Sequence, residues 1–114
     1  MIRYKRGQIV VLPVPFADAP DEKLRPAVVV SSDGYMSQGI DVMVAMVSTN
    51  IRLMLRLGDY RLSDWRRAGL NRPSIVRARL ATVDSRRITG TIGSLSSRDL
   101  AAYDKGLKAA LGLT

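Results

Sequence analysis

The sequence contains no cysteine and no histidine among its 114 residues. The lack of cysteine excludes disulfides, thiolate nucleophiles and cysteine-ligated metals, and it fits a reducing cytosol. The lack of histidine removes the usual general base near neutral pH and the commonest metal ligand. Any acid–base chemistry must therefore use carboxylates, arginines, hydroxyls or groups of the substrate itself.

Long apolar runs are also missing. No stretch approaches the roughly 18 to 20 apolar residues that a membrane-spanning helix needs, so we expect no membrane segment. The basic start of the chain is interrupted at Gly7, and the apolar run that follows carries two prolines, which argues against a signal peptide. We therefore predict a cytoplasmic protein.

Acidic residues are in the minority. The chain has 10 Asp and Glu against 18 Lys and Arg, which gives a net charge of +8. Such a surface favours a polyanionic partner, either nucleic acid or an acidic protein. An anionic membrane is the least favoured partner, because the basic residues are interleaved with predicted strands and do not line one amphipathic helix. With a hydrophobic fraction of 46% and this length, we predict a single domain over residues 1–114.

The segment around which the sequence is organised runs from Arg25 to Ser32 and reads RPAVVVSS. Its β-branched run predicts a buried strand over residues 24–31 that begins with an arginine held next to a proline. Similar runs predict strands at residues 8–14 and 40–47. Residues 16–24, between the first two strands, contain turn-forming and polar residues and are predicted to be a loop.

The second half is predicted to contain further strands and one secure helix. Residues 51–63 are ambiguous, although Leu53, Leu55 and Leu57 alternate in a way that favours a strand. Residues 63–70 resemble one or two helical turns, and strands are predicted at 74–84 and 88–92. Ser96 and Asp99 form a variant capping box for a terminal helix that would bury Leu100, Tyr103, Leu107 and Leu111 and end at Gly112. The fold class predicted is mainly β with a C-terminal helix, as a small closed barrel.

Arg25 lies where the central strand begins, and Ser48 and Thr49 lie where the following strand ends. In an antiparallel pair these positions are neighbours. A guanidinium beside hydroxyls is a phosphate site that could stabilise the charge of a pentacoordinate phosphate. Two ordinary alternatives stay open. Arg25 could form a surface ion pair with Asp21, Glu22 or Asp33, and the two hydroxyls could simply cap the strand end.

A dense cationic region follows in the second half. Arg77 and Arg79 occupy alternate strand positions and so share a face, where a phosphate chain could cross them. Tyr35, Tyr60 and Trp65 could stack on bases, although Trp65 is more simply explained as a core residue. The carboxylates show no metal-loop spacing and no Gly-rich phosphate loop is present, so we expect neither a metal nor another cofactor.

Several segments together resemble the MazF/PemK toxin family. They are Gly7 to Val10, Arg25 to Ser31, Val42 to Thr49, Pro73 to Arg77, Leu80 to Asp84, Gly93 to Ser96 and the closing helix. The resemblance covers nearly the whole chain in order, and it is therefore more specific than any single short motif. It implies an SH3-like barrel, a homodimer and a metal-independent endoribonuclease that acts on single-stranded RNA. It also implies an acidic antitoxin as partner, in a complex that binds DNA.

The resemblance further implies roles for individual residues. The arginine before the proline and the hydroxyl after the third strand map to Arg25 and Ser48, with Thr49 as neighbour. They would promote attack of a ribose 2′-OH on the adjacent phosphate, leaving a 2′,3′-cyclic phosphate and a 5′-OH. Where some members of the family carry an acidic residue, this chain has Ala78. The residues expected to contact RNA are Lys23, Asn50, Arg72, Arg77 and Arg79.

Two other functions remain compatible with the sequence. The first is a non-catalytic barrel that binds RNA or DNA, with Arg25 only anchoring phosphate. The second is an interaction module whose basic groove receives an acidic segment of a partner.

Overall fold

The computed structural model describes residues 3–13 and 23–113, and most of the loop predicted at residues 16–24 lies outside these ranges. Six strands form one sheet in which all neighbours pair antiparallel, in the order β4-β5-β3-β2-β1-β6. The strands are β1 (Gln8–Pro13), β2 (Leu24–Val29), β3 (Asp41–Ser48), β4 (Tyr60–Arg61), β5 (Ile75–Asp84) and β6 (Gly90–Ser94).

Two helices accompany the sheet. The short α1 (Asp33–Met36) follows β2, and its first turn is capped by the hydroxyl of Ser32, which accepts a hydrogen bond from the Tyr35 N–H. The terminal helix α2 (Ser97–Leu111) confirms the prediction. Ser96 caps its start, and Gly112 ends it in the left-handed conformation at φ 72°, which glycine adopts without steric cost.

Strands β1, β2 and β3 are buried on both faces because alternate residues enter two separate cores. The helix-side core lies under α2 and combines Ile9, Val28, Ala45 and Val76 of the sheet with Tyr103 and Leu107 of the helix. The opposite core is formed by the intervening positions, including Val10, Ala27, Val29, Val44 and Met46. This two-sided burial explains why β2 and β3 read as continuous apolar runs.

The sheet curls into a half-barrel and differs from the closed barrel predicted. In the described part of the chain, β4 and β6 are the two ends of the sheet and do not pair with each other. The broader prediction, a mainly β fold with a C-terminal helix, is confirmed. No helix in the described ranges is long and apolar enough to cross a membrane.

Three local predictions were wrong. The alternating leucines at 53, 55 and 57 lie in turns, and strand structure in this region is limited to Tyr60–Arg61. Residues 63–70 form turns and no helix. Leu111 is 51% exposed and stays outside the core. The last predicted strand is also displaced, from residues 88–92 to 90–94.

The turn at residues 66–69 packs closely against β6. Gly69 has φ +90°, and the carbonyl oxygen of Ile92 lies 2.8 Å from the position of a Cβ added there. A Cβ added to Gly93 would overlap the carbonyl oxygen of Ala68. Glycine at both positions therefore allows the two backbones to touch.

Candidate functional site

Arg25 is exposed in β2, where it pairs with Leu12 of β1. Two and four residues further along are Ala27 and Val29, which belong to the opposite core, so Arg25 lies on that face of the sheet. Within the described residues the side chain of Arg25 forms no hydrogen bond or ion pair. The alternative ion pair with Asp33 is thus not formed, and Asp21 and Glu22 lie outside the described ranges.

Ser48 is the last residue of β3, and its hydroxyl accepts a hydrogen bond of 3.1 Å from the N–H of Asn50. The Asn50 side chain repeats the pattern by accepting a 3.2 Å bond from the N–H of Arg52. These two bonds turn the chain sharply out of the sheet. Thr49 lies exposed between them. The expectation that a hydroxyl caps the strand end therefore applies to Ser48.

The β2–β3 register brings Arg25 and Ser48 to the same end of the sheet. The paired residues run from Val29–Val44 to Ala27–Met46. The observed pairing of β2 with β3 ends at Ala27–Met46, and continuing it by two residues would set Arg25 opposite Ser48, on the face that also carries Ala27 and Met46. The register therefore brings an exposed guanidinium and a hydroxyl to the same end of two neighbouring strands, and these are donors that suit a phosphate.

The other residues predicted to contact RNA lie at different positions around this end. Lys23 is exposed two residues before Arg25, and Asn50 is exposed two residues after Ser48. Arg72 is exposed in the turn that leads into β5. Arg77 and Arg79 lie on β5, one strand beyond β3, so the predicted set extends over three neighbouring strands and their connections.

Arg77 and Arg79 line a surface cavity of about 480 Å³ at the outer edge of β5, which we call the arginine pocket. Its described lining consists of Arg56, Leu57, Asp59, Arg77, Ala78, Arg79 and Ala110. The turn at Gly58 packs on Gly106 of α2. A Cβ added to Gly106 would lie 3.5 Å from the Cα of Gly58. The pocket therefore lies where the loop after β3, strand β5 and the end of α2 meet.

Asp59 organises the pocket. One carboxylate oxygen accepts a 2.8 Å bond from the N–H of Ala78. The other accepts bonds from the N–H of Arg56 at 2.9 Å and from Nε of Arg77 at 3.1 Å. Burial by itself would raise the pKa of Asp59, but the two backbone bonds and the charge of Arg77 outweigh it and hold the pKa below its ordinary value. Asp59 is thus a fixed anion that orients Arg77.

Sequence reasoning missed the roles of Asp59 and Arg56. In the sequence, Asp59 is one of several carboxylates without metal-loop spacing, and no group of three or more His, Cys, Asp or Glu in the described ranges could hold a metal ion. At position 78, where the resemblance implies an acidic residue in some family members, the backbone of Ala78 binds the Asp59 carboxylate. The one available signal was Gly58, a turn residue directly before Asp59.

Trp65 packs partly buried against the helix-side core, which fits the prediction of a core residue. Its ring is covered by the guanidinium carbon of Arg66, 4.8 Å from the ring centroid. Tyr60 is likewise committed, because its hydroxyl donates a 2.8 Å bond to Asp99. Trp65 and Tyr60 are therefore both partly buried against the core, and Tyr35 is the exposed aromatic residue of the three.

Solved structures with the same architecture include an endoribonuclease and proteins named MazF. The chain superposes with a TM-score of 0.79 on an endoribonuclease in complex with its cognate antitoxin from a mycobacterial species, at 16% identity and with 98% of each chain covered. The toxin MazF-mt6 of Mycobacterium tuberculosis gives 0.74 at 20% identity, covering 94% of this chain and 98% of that one. MazF of Deinococcus radiodurans gives 0.72 at 23% identity, covering 96% of both.

Because these sequence identities are low, the structural similarity shows that the chain shares their fold and no more. No curated protein matches the chain by sequence. A family model does match, over residues 5–111, and it describes PemK-like, MazF-like toxins of type II toxin-antitoxin systems. The match extends from Lys5 to Leu111, the last residue of α2, and includes all six strands described above. The chain therefore belongs to the PemK-like, MazF-like toxin family.

Proposed function

We propose that this protein is the toxin of a type II toxin-antitoxin pair and cleaves single-stranded RNA without a metal ion. The observation that supports the proposal is the register of β2 and β3, which brings the exposed Arg25 and Ser48 to the same end of two paired strands. The family match supports it, because structures related to this fold include proteins named endoribonuclease. Cytoplasmic location follows from this role.

Arg25 has the chemical properties needed at the reacting phosphate. Its guanidinium is always protonated and can donate two hydrogen bonds to non-bridging phosphate oxygens. When the 2′ oxygen bonds to phosphorus, a further negative charge develops on these oxygens, and Arg25 stabilises it more strongly than the ground state. The 2′-OH gives up its proton to water or a phosphate oxygen as the O2′–P bond forms. The P–O5′ bond breaks, the 5′ oxygen takes up a proton from the same pool, and the products are a 2′,3′-cyclic phosphate and a 5′-OH.

Ser48 and Thr49 have a positioning role in this scheme. Ser48 accepts a hydrogen bond from Asn50, which leaves its own hydroxyl hydrogen available to donate to a phosphate oxygen or to the 2′ oxygen. Thr49, exposed next to it, can contact the same nucleotide. Lys23, Asn50, Arg72, Arg77 and Arg79 would bind the flanking phosphates and bases. The partner that restrains the activity would be an acidic antitoxin, and the active form a homodimer.

The proposal is tested by cleavage of a mixed-sequence single-stranded RNA in excess EDTA, with mapping of the 5′ ends and the 3′ chemistry. We expect cyclic phosphate ends from the native protein. Arg25→Ala should lower kcat/KM by about 10² to 10³, the usual cost of losing one donor to a developing oxyanion. Arg67→Ala, which removes an exposed arginine elsewhere, is the matched control and should stay within about twofold.

Three outcomes would contradict the proposal. If the folded native protein binds the RNA and leaves it intact, the site is a binding site and the catalytic role falls. If cleavage occurs but Arg25→Ala and Arg67→Ala are equally active, the reaction does not depend on Arg25. Loss of activity after EDTA treatment that Mg²⁺ restores would exclude the metal-independent mechanism.

A further inference from the structure

We propose that Asp59 is a positioning residue for RNA binding, which fixes a bulge of β5 so that Arg77 holds a phosphate beside the scissile one. This role rests on the proposed function, because RNA is the ligand that Arg77 would hold. Asp59 itself does not contact the RNA, because its side chain is only 3% exposed and both of its oxygens already accept hydrogen bonds.

Strand β5 bulges where it passes Met46 of β3. The pairs on either side of the bulge are Ala45–Leu80 and Val47–Val76. Met46 alone therefore faces the three residues 77–79, and β5 carries two more residues than β3 over this stretch. Bulges bend a strand and turn its side chains in new directions, and they are frequent next to active sites. The bulge of β5 contains Arg77 and Arg79, both predicted to bind RNA.

Two side chains from outside β5 hold the bulge in shape. The carboxylate of Asp59 accepts a 2.8 Å hydrogen bond from the N–H of Ala78. On α2, the hydroxyl of Tyr103 donates a 2.9 Å bond to the carbonyl oxygen of Arg77. Tyr103 is fully buried, and so is nearly all of the Asp59 side chain. The bulge is thus specified by buried side chains that leave its backbone little freedom.

Asp59 also fixes the direction of the Arg77 side chain. Its second oxygen accepts a 3.1 Å bond from Nε of Arg77, whose side chain is 21% exposed. The two terminal nitrogens of this guanidinium have no partner among the described residues, and they can donate in parallel to two oxygens of one phosphate. A guanidinium held at Nε loses less conformational entropy on binding than a free side chain does.

Arg77 lies on the same face of the sheet as Arg25. Its neighbours on β5, Val76 and Ala78, pack in the helix-side core, so alternation puts Arg77 on the face that carries Met46. Strands β2 and β5 are separated by β3, which sets them roughly 10 Å apart at the usual strand spacing. One RNA strand that crosses this face could therefore meet Arg25 at the scissile phosphate and Arg77 at a phosphate beside it.

The test measures the Kd of a fluorescein-labelled 2′-O-methyl RNA of mixed sequence by fluorescence anisotropy. This RNA lacks the attacking hydroxyl and stays intact. Asp59→Asn keeps the shape of the side chain but replaces one acceptor oxygen by an N–H₂ donor. Arg77→Ala and the double variant complete a mutant cycle, and Asp41→Asn is the control that removes the same charge from an exposed position of β3.

We expect Asp59→Asn and Arg77→Ala each to weaken RNA binding by about tenfold, as is typical for a charge-assisted contact. The double variant should bind within about twofold of Arg77→Ala, because Asp59 acts through Arg77. Asp41→Asn should bind within about twofold of the native protein. In cleavage of an unmodified RNA, Asp59→Asn should raise KM by about tenfold and leave kcat unchanged.

A second variant tests the orientation of the cation without altering Asp59, and it keeps the test decisive if Asp59→Asn does not fold. Arg77→Lys keeps the charge, but a single ammonium group cannot bond Asp59 and also present a bidentate pair of donors to a phosphate. We expect this variant to bind RNA nearly as weakly as Arg77→Ala, within about threefold.

Three results would overturn the proposal. Equal Kd values for Asp59→Asn and Asp41→Asn would show that Asp59 positions nothing for RNA. Losses that add up in the double variant would show that Asp59 acts independently of Arg77. Native-like binding by Arg77→Lys would show that only the charge matters at this position.

The binding measurements need no cleavage, so their result stands even if the protein proves not to be a nuclease. Conversely, cleavage that depends on Arg25 and is unaffected by Asp59→Asn would remove the role of Asp59 and leave the proposed function intact.

Discussion

Asp99 shows how one buried carboxylate can organise a region of this protein. Its side chain is fully buried on α2 and accepts hydrogen bonds from the Tyr60 hydroxyl at 2.8 Å and from the N–H groups of Ser63 and Asp64 at 3.1 and 2.8 Å. The capping box predicted from Ser96 and Asp99 is therefore only half formed. Ser96 caps the helix, but the acidic side chain binds the segment after β4 and not the start of its own helix.

Replacement of Asp99 by Asn should destabilise the fold strongly. The amide presents an N–H₂ donor where two backbone N–H donors and a hydroxyl converge, so at least one buried donor loses its acceptor. We expect a loss of about 2 to 4 kcal/mol in the free energy of unfolding, measured by urea denaturation. Asp41→Asn, at an exposed position that starts β3, is the control and should change stability by less than about 0.5 kcal/mol. A loss at Asp99 no larger than this control would contradict the role described.

The sequence reveals the neighbourhood of Arg25 more readily than that of Arg77, for a physical reason. Arg25 and Ser48 lie at the ends of two consecutive apolar strands, so antiparallel pairing alone brings them together. The partner of Arg77 is Asp59, and their contact depends on the register of a two-residue strand, β4, and on a turn that no periodic pattern specifies. Local turn bonds decide that geometry.

At the scale of elements, the segment from 51 to 59 shows the limit of periodicity. Its leucines alternate as in a strand, but a strand also needs a neighbour with free backbone groups. At the outer edge of β5, the backbone groups that could pair with a further strand are bonded to Tyr60 and Arg61 of β4. The N–H of Ala78 is bonded to the Asp59 carboxylate. The leucines are therefore left in turns at the surface. The strands that were predicted correctly are those buried on both faces.

Two glycines of β6 allow the effect of close packing on stability to be measured apart from the conformational effect of replacing a glycine. Gly93→Ala would force its Cβ into the backbone of Ala68, whereas a Cβ on Gly90 meets nothing within 4 Å. We expect Gly93→Ala to lower the free energy of unfolding by about 2 to 3 kcal/mol. Gly90→Ala should leave it unchanged or raise it by up to about 1 kcal/mol, because it restricts the unfolded chain. Thermal denaturation of the two variants side by side is the measurement, and equal Tm values would show that the turn at 66–69 does not press on β6.

At the scale of the whole molecule, the pH dependence of stability is set by carboxylates, because the sequence has no histidine. A side-chain hydrogen bond from Arg98 and another from Ser96 lower the pKa of Asp64 to about 2, and Arg86 does the same for Asp84. Because these folded-state values lie below the ordinary value of about 3.9, the folded state binds fewer protons than the unfolded state in this range. Their stabilisation is present above that value and is lost as the pH falls toward 2.

We therefore expect the urea midpoint to change little between pH 8 and pH 5, where no histidine titrates, and to fall between about pH 4 and about pH 2. The double variant Asp64→Asn, Asp84→Asn should be less stable at pH 6 and should lose less of its remaining stability over the acid range. Identical acid slopes for the native protein and the double variant would show that other groups control acid unfolding.

The pairing of β1 with β6 joins residues near the two ends of the described chain, from Gln8–Ser94 to Val11–Gly90. During synthesis, β1, β2 and β3 can assemble as successive antiparallel neighbours, but β1 keeps one open edge until residues 90–94 have left the ribosome. An incomplete chain thus lacks both this closing strand and the helix that covers one core. A nascent chain therefore acquires its finished fold only late in its synthesis.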